Sequence, residues 1–361
     1  MKRAGALAIA CAAVGALAGC GSAGPAASPG PGQATAAATS LATSLETAGD
    51  SWAVLPMAAN PAFWEVFVRA AASPDWRLVT PQGVADNGGL VAAGTVGALV
   101  VAVRPNQELT FSPLATSTDG GAQWKTGLID ARIAATPGAL AASGSRLLAL
   151  LGDGTILASS DSGSSWRTLA GPGALAGSPA GRACGLRAVT DVSFGINEGE
   201  VLAAGGCGAA GTGVFAYSAG GWQRVSLPVS GQLVRMMPGV VLVASGTRLY
   251  AARDTPSGWQ ASAALAVAGG GVRAAGSYGS GGAWVLLPGR QAAAIGGPGQ
   301  QWRSLPLVPP GTAVLAGGSD GAMDALAVSG NTMTVWRLAG AANVWAKFQS
   351  IGVPVQYGSS S

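Results

Sequence analysis

Arg187, Arg235 and Arg273 recur in three similar settings, GLRAVTD, LVRMMPG and GVRAAGS. Guanidinium groups converging from neighbouring strands would hold a carboxylate or another anion through paired N–H donors. Solvated arginines bonding turn carbonyls give the same pattern, and Asp191 and Asp86 occupy comparable places from which to neutralise them. Other chemistry is poorly supplied. The chain has no histidine, which excludes a Ser-His-Asp relay and zinc sites of the usual kind. Tyr217, Tyr250, Tyr278 and Tyr357 are its only tyrosines, and none has a recognisable partner. Glycoside cleavage needs two facing carboxylates, and no such pair can be assigned. Asp86-Asn87-Gly88-Gly89 reads as a turn, with too few oxygen ligands around it for calcium. No catalytic residue, metal site or cofactor is therefore assigned.

A repeat accounts for the next candidate residues. Ser117-Thr118-Asp119-Gly120-Gly121-Ala122-Gln123-Trp124 and Ser159-Ser160-Asp161-Ser162-Gly163-Ser164-Ser165-Trp166 both read S-x-D-x-G-x-x-W, with their tryptophans 42 residues apart. An Asp at the tip of a tight turn accepts backbone N–H bonds, and Gly supplies the positive φ that the turn needs. The Trp buries a large area against the adjoining sheet. A period of about 40–50 residues built from short strands marks propeller blades. The string resembles the Asp-box, or BNR repeat, of sialidase-type β-propellers. In that family the box lies away from the substrate face, so the resemblance gives Ser117, Asp119, Gly121, Trp124, Ser159, Asp161, Gly163 and Trp166 a structural role. The likeness stops short of catalysis. Sialidases carry an arginine trio, a Tyr/Glu nucleophile couple, an acid Asp and an Arg-Ile-Pro motif, and no Arg-Ile-Pro is present. The repeat body is also similar to propellers related to photosystem II stability and assembly factors, a likeness that fixes no partner.

The two boxes set the phase for weaker copies. Trp76, Trp124, Trp166, Trp222, Trp259, Trp302 and Trp345 follow at spacings of 48, 42, 56, 37, 43 and 43. Seven phased tryptophans argue for seven blades, with six and eight left open. Four strands fit between markers: after Trp124 come 139–143, 146–152 and 155–161, then the run from Trp166. Near-continuous apolar runs (RLLALLG, ALVVAV, VVLVAS) suit sheets covered on both sides by neighbouring blades. Dense glycine leaves no helix-length segment after residue 50. The expected fold is all-β, a β-propeller of seven four-stranded blades over 49–357, with 358–361 a disordered tail. Ser51 to Pro81 supplies only three strand-like runs, so the C-terminus around Ile351 to Tyr357 is expected to provide the missing innermost strand and close the ring.

At the N-terminus, Lys2-Arg3 precede an apolar run from Ala4 to Ala16 and then Leu17-Ala18-Gly19-Cys20. That is the layout of an export signal over 1–19, too short for the roughly 20 residues that span a bilayer. Its last four residues resemble a bacterial lipobox. The resemblance implies cleavage before Cys20, a diacylglyceryl thioether on its sulfur, and acyl chains such as palmitate at a membrane surface. Gly21 to Ser40 is uncharged Ala/Gly/Pro/Ser, unable to offset its ordering entropy by burial. Residues 20–48 are expected to form a disordered tether reaching roughly 25–30 Å. The Ala/Gly/Arg bias resembles that of high-GC genomes such as the actinobacterial ones.

Cys11 leaves with the signal and Cys20 is modified, so Cys184 and Cys207 remain. In an exported chain an isolated pair forms a disulfide, with a redox or metal pair the other reading. The formal charge of +4 falls to +2 without Lys2 and Arg3, and no Lys/Arg cluster remains to suggest nucleic-acid binding. The expected protein is a lipid-anchored monomer on the extracytoplasmic face of the cell membrane. It would act as a non-enzymatic binding or assembly scaffold for an envelope protein or a glycan. The rival reading is a divergent cell-envelope glycosidase of sialidase-like fold.

Overall fold

The computed structural model describes residues 42–354 apart from 48–49, 58–62, 82–89, 96–97, 104–110, 131–137, 198, 209–210, 219–220, 268–270, 279–280, 298–299, 318–321 and 341. Cys20, the expected signal and tail, and the Asp86–Gly89 turn lie outside the described residues.

Seven antiparallel sheets form a ring, a seven-bladed β-propeller. Blade 1 comprises β1 (Thr43–Thr47), β2 (Asp50–Met57), β3 (Phe63–Arg69) and β4 (Trp76–Leu78). Blade 2 is β5 (Leu90–Thr95), β6 (Ala98–Val103), β7 (Phe111–Ser117) and β8 (Lys125–Asp130). Blade 3 is β9 (Ala139–Ser143), β10 (Arg146–Leu150), β11 (Ile156–Ser159) and β12 (Arg167–Ala170). A short helix, α1 (Pro179–Cys184), leads into blade 4: β13 (Leu186–Phe194), β14 (Val201–Cys207), β15 (Gly211–Ser218) and β16 (Gly221–Val225). Blade 5 is β17 (Gln232–Met237), β18 (Val240–Ser245), β19 (Arg248–Arg253) and β20 (Gln260–Ala261), with β21 (Leu265–Ala266) also paired to β19. Blade 6 is β22 (Ala274–Tyr278), β23 (Gly282–Leu286), β24 (Ala292–Ile295) and β25 (Arg303–Ser304). Blade 7 is β26 (Thr312–Gly317), β27 (Met323–Ser329), β28 (Thr332–Leu338) and β29 (Ala346–Gly352).

The phase set by the tryptophans holds, since each stands at the start of an outermost strand. Several indoles donate to the blade before. Trp124 Nε1 bonds Val79 O at 2.8 Å, Trp302 Nε1 bonds Ser262 Oγ at 3.2 Å, and Trp345 Nε1 bonds Pro306 O at 3.2 Å. Trp76 in blade 1 does the same to blade 7, through Asp324 Oδ2 at 2.8 Å. The apolar core is divided accordingly into clusters shared by adjacent blades, as the continuous apolar runs of the second strands require.

The expected closure by the C-terminal strand is corrected. Ile351 and Gly352 end β29, the outermost strand of blade 7, and pair with β28. The innermost strand of blade 1 is its own β1, from within the segment expected to be tether. Closure is instead made by side chains. Gln349 on β29 bonds the main chain of Trp76 twice, Nε2 to O and Trp76 N to Oε1, each at 2.9 Å. Asp324 on β27 takes Arg337 Nε at 2.7 Å and lies 3.6 Å from Arg69 Nε of β3. A planar amide and a planar carboxylate can imitate strand pairing across a seam that no strand crosses.

Candidate functional site: the hub and its arginine-rich face

Innermost strands line the axis of the ring, and β1 is that strand in blade 1. Its backbone pairs with β2, while its side chains reach across to three other blades. Arg235 Nη2 on β17 donates to Thr43 Oγ1 at 3.1 Å. Ser44 Oγ donates to Leu315 O of β26 and accepts Trp284 Nε1 of β23 at 3.0 Å. Glu46 Oε1 accepts Gly317 N at 2.9 Å. The sequence reading misses these hub residues. No apolar alternation marks this strand, for Leu45 is its one apolar residue among Thr43, Ser44, Glu46 and Thr47.

Arg187 and Arg235 lie on the inner strands of blades 4 and 5, and Arg273 immediately precedes that of blade 6. Arg187 stands at a bulge in β13, where the register shifts between Leu186 and Ala188. Arg273 lies one residue before β22, its backbone N bonded to Leu286 O at 2.8 Å. Both side chains are exposed and bond no other described residue. Arg235 is half-buried and already engaged, by Thr43 and by the charge of Asp191. Asp191 Oδ2 accepts Met236 N at 2.9 Å and Oδ1 accepts Val192 N at 3.0 Å. Burial pushes this carboxyl above its ordinary range, against the opposing pull of Arg235 and those two amides.

Strand direction alternates within a blade, so one face of the ring collects the starts of the inner strands and the links between blades. That entry face is braced by Cys184–Cys207, with Cα atoms 5.2 Å apart. The bond ties the end of α1 to the end of β14, and closing its 23-residue separation contributes about 3 kcal/mol in the chain-entropy model. Ser178 caps α1 by accepting Gly181 N at 3.0 Å, and Gly185 ends it at φ 67°. Beside this link a cavity of about 300 Å³ is lined by Thr212, Arg224, Ser226 and Ser230. The buried Thr212 Oγ1 has no partner among the described residues. On the opposite face a smaller cavity, about 150 Å³, is lined by Arg253, Gln260, Ser262 and Gln300. Arg253 donates there to Gly296 O and Gly297 O, and burial pulls its pKa down.

The two repeat turns lie on that opposite face, between third and fourth strands. Ser117 Oγ takes Gly121 N at 2.8 Å and donates to Asp119 Oδ1 at 2.9 Å, which also takes Gln123 N at 2.9 Å. Ser159, Asp161 and Gly163 repeat the arrangement, with Ser165 Oγ added on Asp161 Oδ2 at 2.6 Å. Gly121 has φ +80°, and a Cβ there would come within 2.6 Å of Val79 Cβ. Trp166 Nε1 stays within its own turn, on Gly163 O at 3.1 Å. Asp119 Oδ1 and both oxygens of Asp161 accept bonds from within their own turns.

The bonds from Ser165 and Ser159 lower the Asp161 carboxyl from the ordinary 3.8 to about 2. A group depressed on folding contributes stability above its unfolded pKa and loses it as pH falls through the folded one. Asp161→Asn is therefore expected to flatten the acid limb of the melting curve between pH 3.8 and about 2. Melting temperature followed against pH in both proteins checks this. An unchanged acid limb would remove Asp161 from the acid response.

Among the described residues no group of three His, Cys, Asp or Glu side chains is placed to hold a metal, and no helix is long and apolar enough to cross a membrane. No protein-family model and no curated protein sequence matches the chain. Solved structures do. YCF48 bound to a D1 peptide aligns with a TM-score of 0.50 at 16% identity, over 83% of this chain and 92% of that one. YCF48 from Cyanidioschyzon merolae aligns at 0.51 and 14%, over 88% and 98%. A GH74 xyloglucanase from Xanthomonas campestris aligns at 0.53 and 15%, over 85% of this chain but only 54% of that enzyme. Identities this low carry the fold alone, and on that ground the chain is similar to peptide-binding and glycan-cleaving propellers alike: it is a seven-bladed β-propeller.

Proposed function

We propose that this protein is a lipid-anchored extracytoplasmic propeller that binds another envelope component without catalysis, as a scaffold. One observation carries the reading: among the described side chains, every carboxylate except that of Asp75 already accepts a bond that holds the local fold. Asp119 and Asp161 hold turns, Asp324 holds the seam, and Asp191 and Glu46 hold inner strands. Asp50, Asp153 and Asp254 accept backbone amides, Glu65 is bonded by Thr80, and Glu200 by Asn197. The likeness to a propeller recorded with a peptide bound supports a peptide segment of an envelope protein as the partner.

In-cell crosslinking of the full-length chain, followed by mass spectrometry, is the test. One recurrent envelope protein is the expected result. Recovery of no protein, together with hydrolysis of a glycan by the purified chain, would overturn the scaffold in favour of a glycosidase.

A further inference from the structure

The entry face of blades 4–6 carries arginines without acids in its links and turns. Five exposed arginines lie on the entry face: Arg182 in α1, Arg187 on β13, Arg248 at the start of β19, Arg273 before β22, and Arg290 in the β23–β24 turn. The links and turns of that face from Gly171 to Gly311 contain no Asp or Glu. Asp191, inside β13, is the nearest acid, and its oxygens are turned onto backbone amides. On the opposite face of these blades charge is mixed, with Glu200 and Asp254 beside Arg253 and Arg303. Next to Arg290, whose Nε donates to Val308 O at 2.7 Å, Leu307 is 59% exposed. Cations interleaved with an exposed apolar side chain suit the headgroup boundary of a bilayer.

Connectivity points the same way. β1 is an inner strand, so the chain enters the ring at Ala42 on this arginine face. Only 21 residues separate Ala42 from Cys20, and a flexible chain of that length extends roughly 25 Å. We propose that the entry face of blades 4–6 lies on the membrane and takes anionic phospholipid headgroups, leaving the opposite face and the rim for the protein partner. The nearness of the membrane rests on the anchored reading above; the affinity of the face for lipid does not.

The test uses the chain from Gly21 onward, which keeps every described residue and lacks the acylated cysteine. It is sedimented with phosphatidylcholine vesicles, with and without phosphatidylglycerol. Binding is expected only to the anionic vesicles, and raised salt is expected to weaken it. Each arginine near an anionic surface contributes about fivefold to partitioning. Arg187→Ala/Arg273→Ala should then bind about 25-fold more weakly with an unchanged melting temperature. Arg187→Lys/Arg273→Lys should bind as the parent does, because a surface potential reads charge rather than a bidentate geometry. Lys125→Ala, on the opposite face, should also bind normally. Equal binding to both vesicle types, no binding, or an equal loss from Lys125→Ala overturns the inference. So does binding of an acidic peptide without binding of anionic vesicles, an outcome that would leave the scaffold standing.

Discussion

Asp324→Ala is expected to destabilise the ring by about 3–5 kcal/mol, the cost of breaking a buried charge network by removing one partner. Asp324 is 2% exposed and serves three groups on two blades. Arg337 bonds both of its oxygens, at 2.7 and 2.9 Å, Trp76 Nε1 donates to it at 2.8 Å, and Arg69 Nε lies 3.6 Å away. Arg69 is itself buried, with Nη2 on Ser51 Oγ at 2.7 Å and Gly317 O at 2.6 Å. Alanine leaves that guanidinium without a counter-charge inside the seam that joins the last blade to the first. Because a ring transmits an open seam to every blade, the loss should appear in one cooperative transition. Urea unfolding of the parent, Asp324→Ala and Asp324→Asn checks it, with Asn intermediate. A loss below about 1 kcal/mol for alanine, the worth of an exposed pair, would mean that the seam is held elsewhere.

Removal of residues 1–47 is expected to abolish the native ring. Without β1, Trp284 Nε1, Leu315 O and Gly317 N lose the partners they have in Ser44 and Glu46. Each buried group left unsatisfied costs about 1–3 kcal/mol. Three of them consume much of the roughly 5–15 kcal/mol that a domain has, before the apolar surface of β2 is exposed. Ser44→Ala isolates the central element of this loss and is expected to cost about 2–4 kcal/mol, since two groups are orphaned by one hydroxyl. Circular dichroism and thermal melting of both variants settle the matter. A truncated chain that melts cooperatively at the parent temperature would show that β1 is an accessory and not the innermost strand that completes blade 1. The two experiments probe overlapping contacts, since the Asp324 network and β1 both join blade 1 to blade 7 and meet at Gly317, while β1 alone also reaches blades 5 and 6.

What could be read from the chain was local. The Ser117 and Ser159 turns close within four residues, so their bonds are written in adjacent letters. The second strands are apolar on both faces, and a run such as VVLVAS declares itself whatever surrounds it. Tryptophan phase, blade count and the placement of Arg187, Arg235 and Arg273 on or next to inner strands follow from those signals. α1 escaped notice because six residues are too few for periodicity, and Ser178 and Gly185 act as caps only once the link is formed.

The remainder depended on partners far along the chain. Thr43–Thr47 resembles tether because its polar side chains look solvated; in the ring they meet an indole 240 positions away and a carbonyl 271 positions away. Gln349 and Asp324 are an ordinary amide and an ordinary acid until closure brings Trp76, 273 and 248 residues distant, against them. Which face is basic was likewise undecided by a near-balanced composition, because sign on a face is set by strand direction. The sequence by itself determined the blades, whose apolar burial and turn bonds are local. The tertiary structure decided the closure, the bonds of β1 to three other blades and the arginine face, because a polar group acquires its energetic role only from the partner that desolvates it.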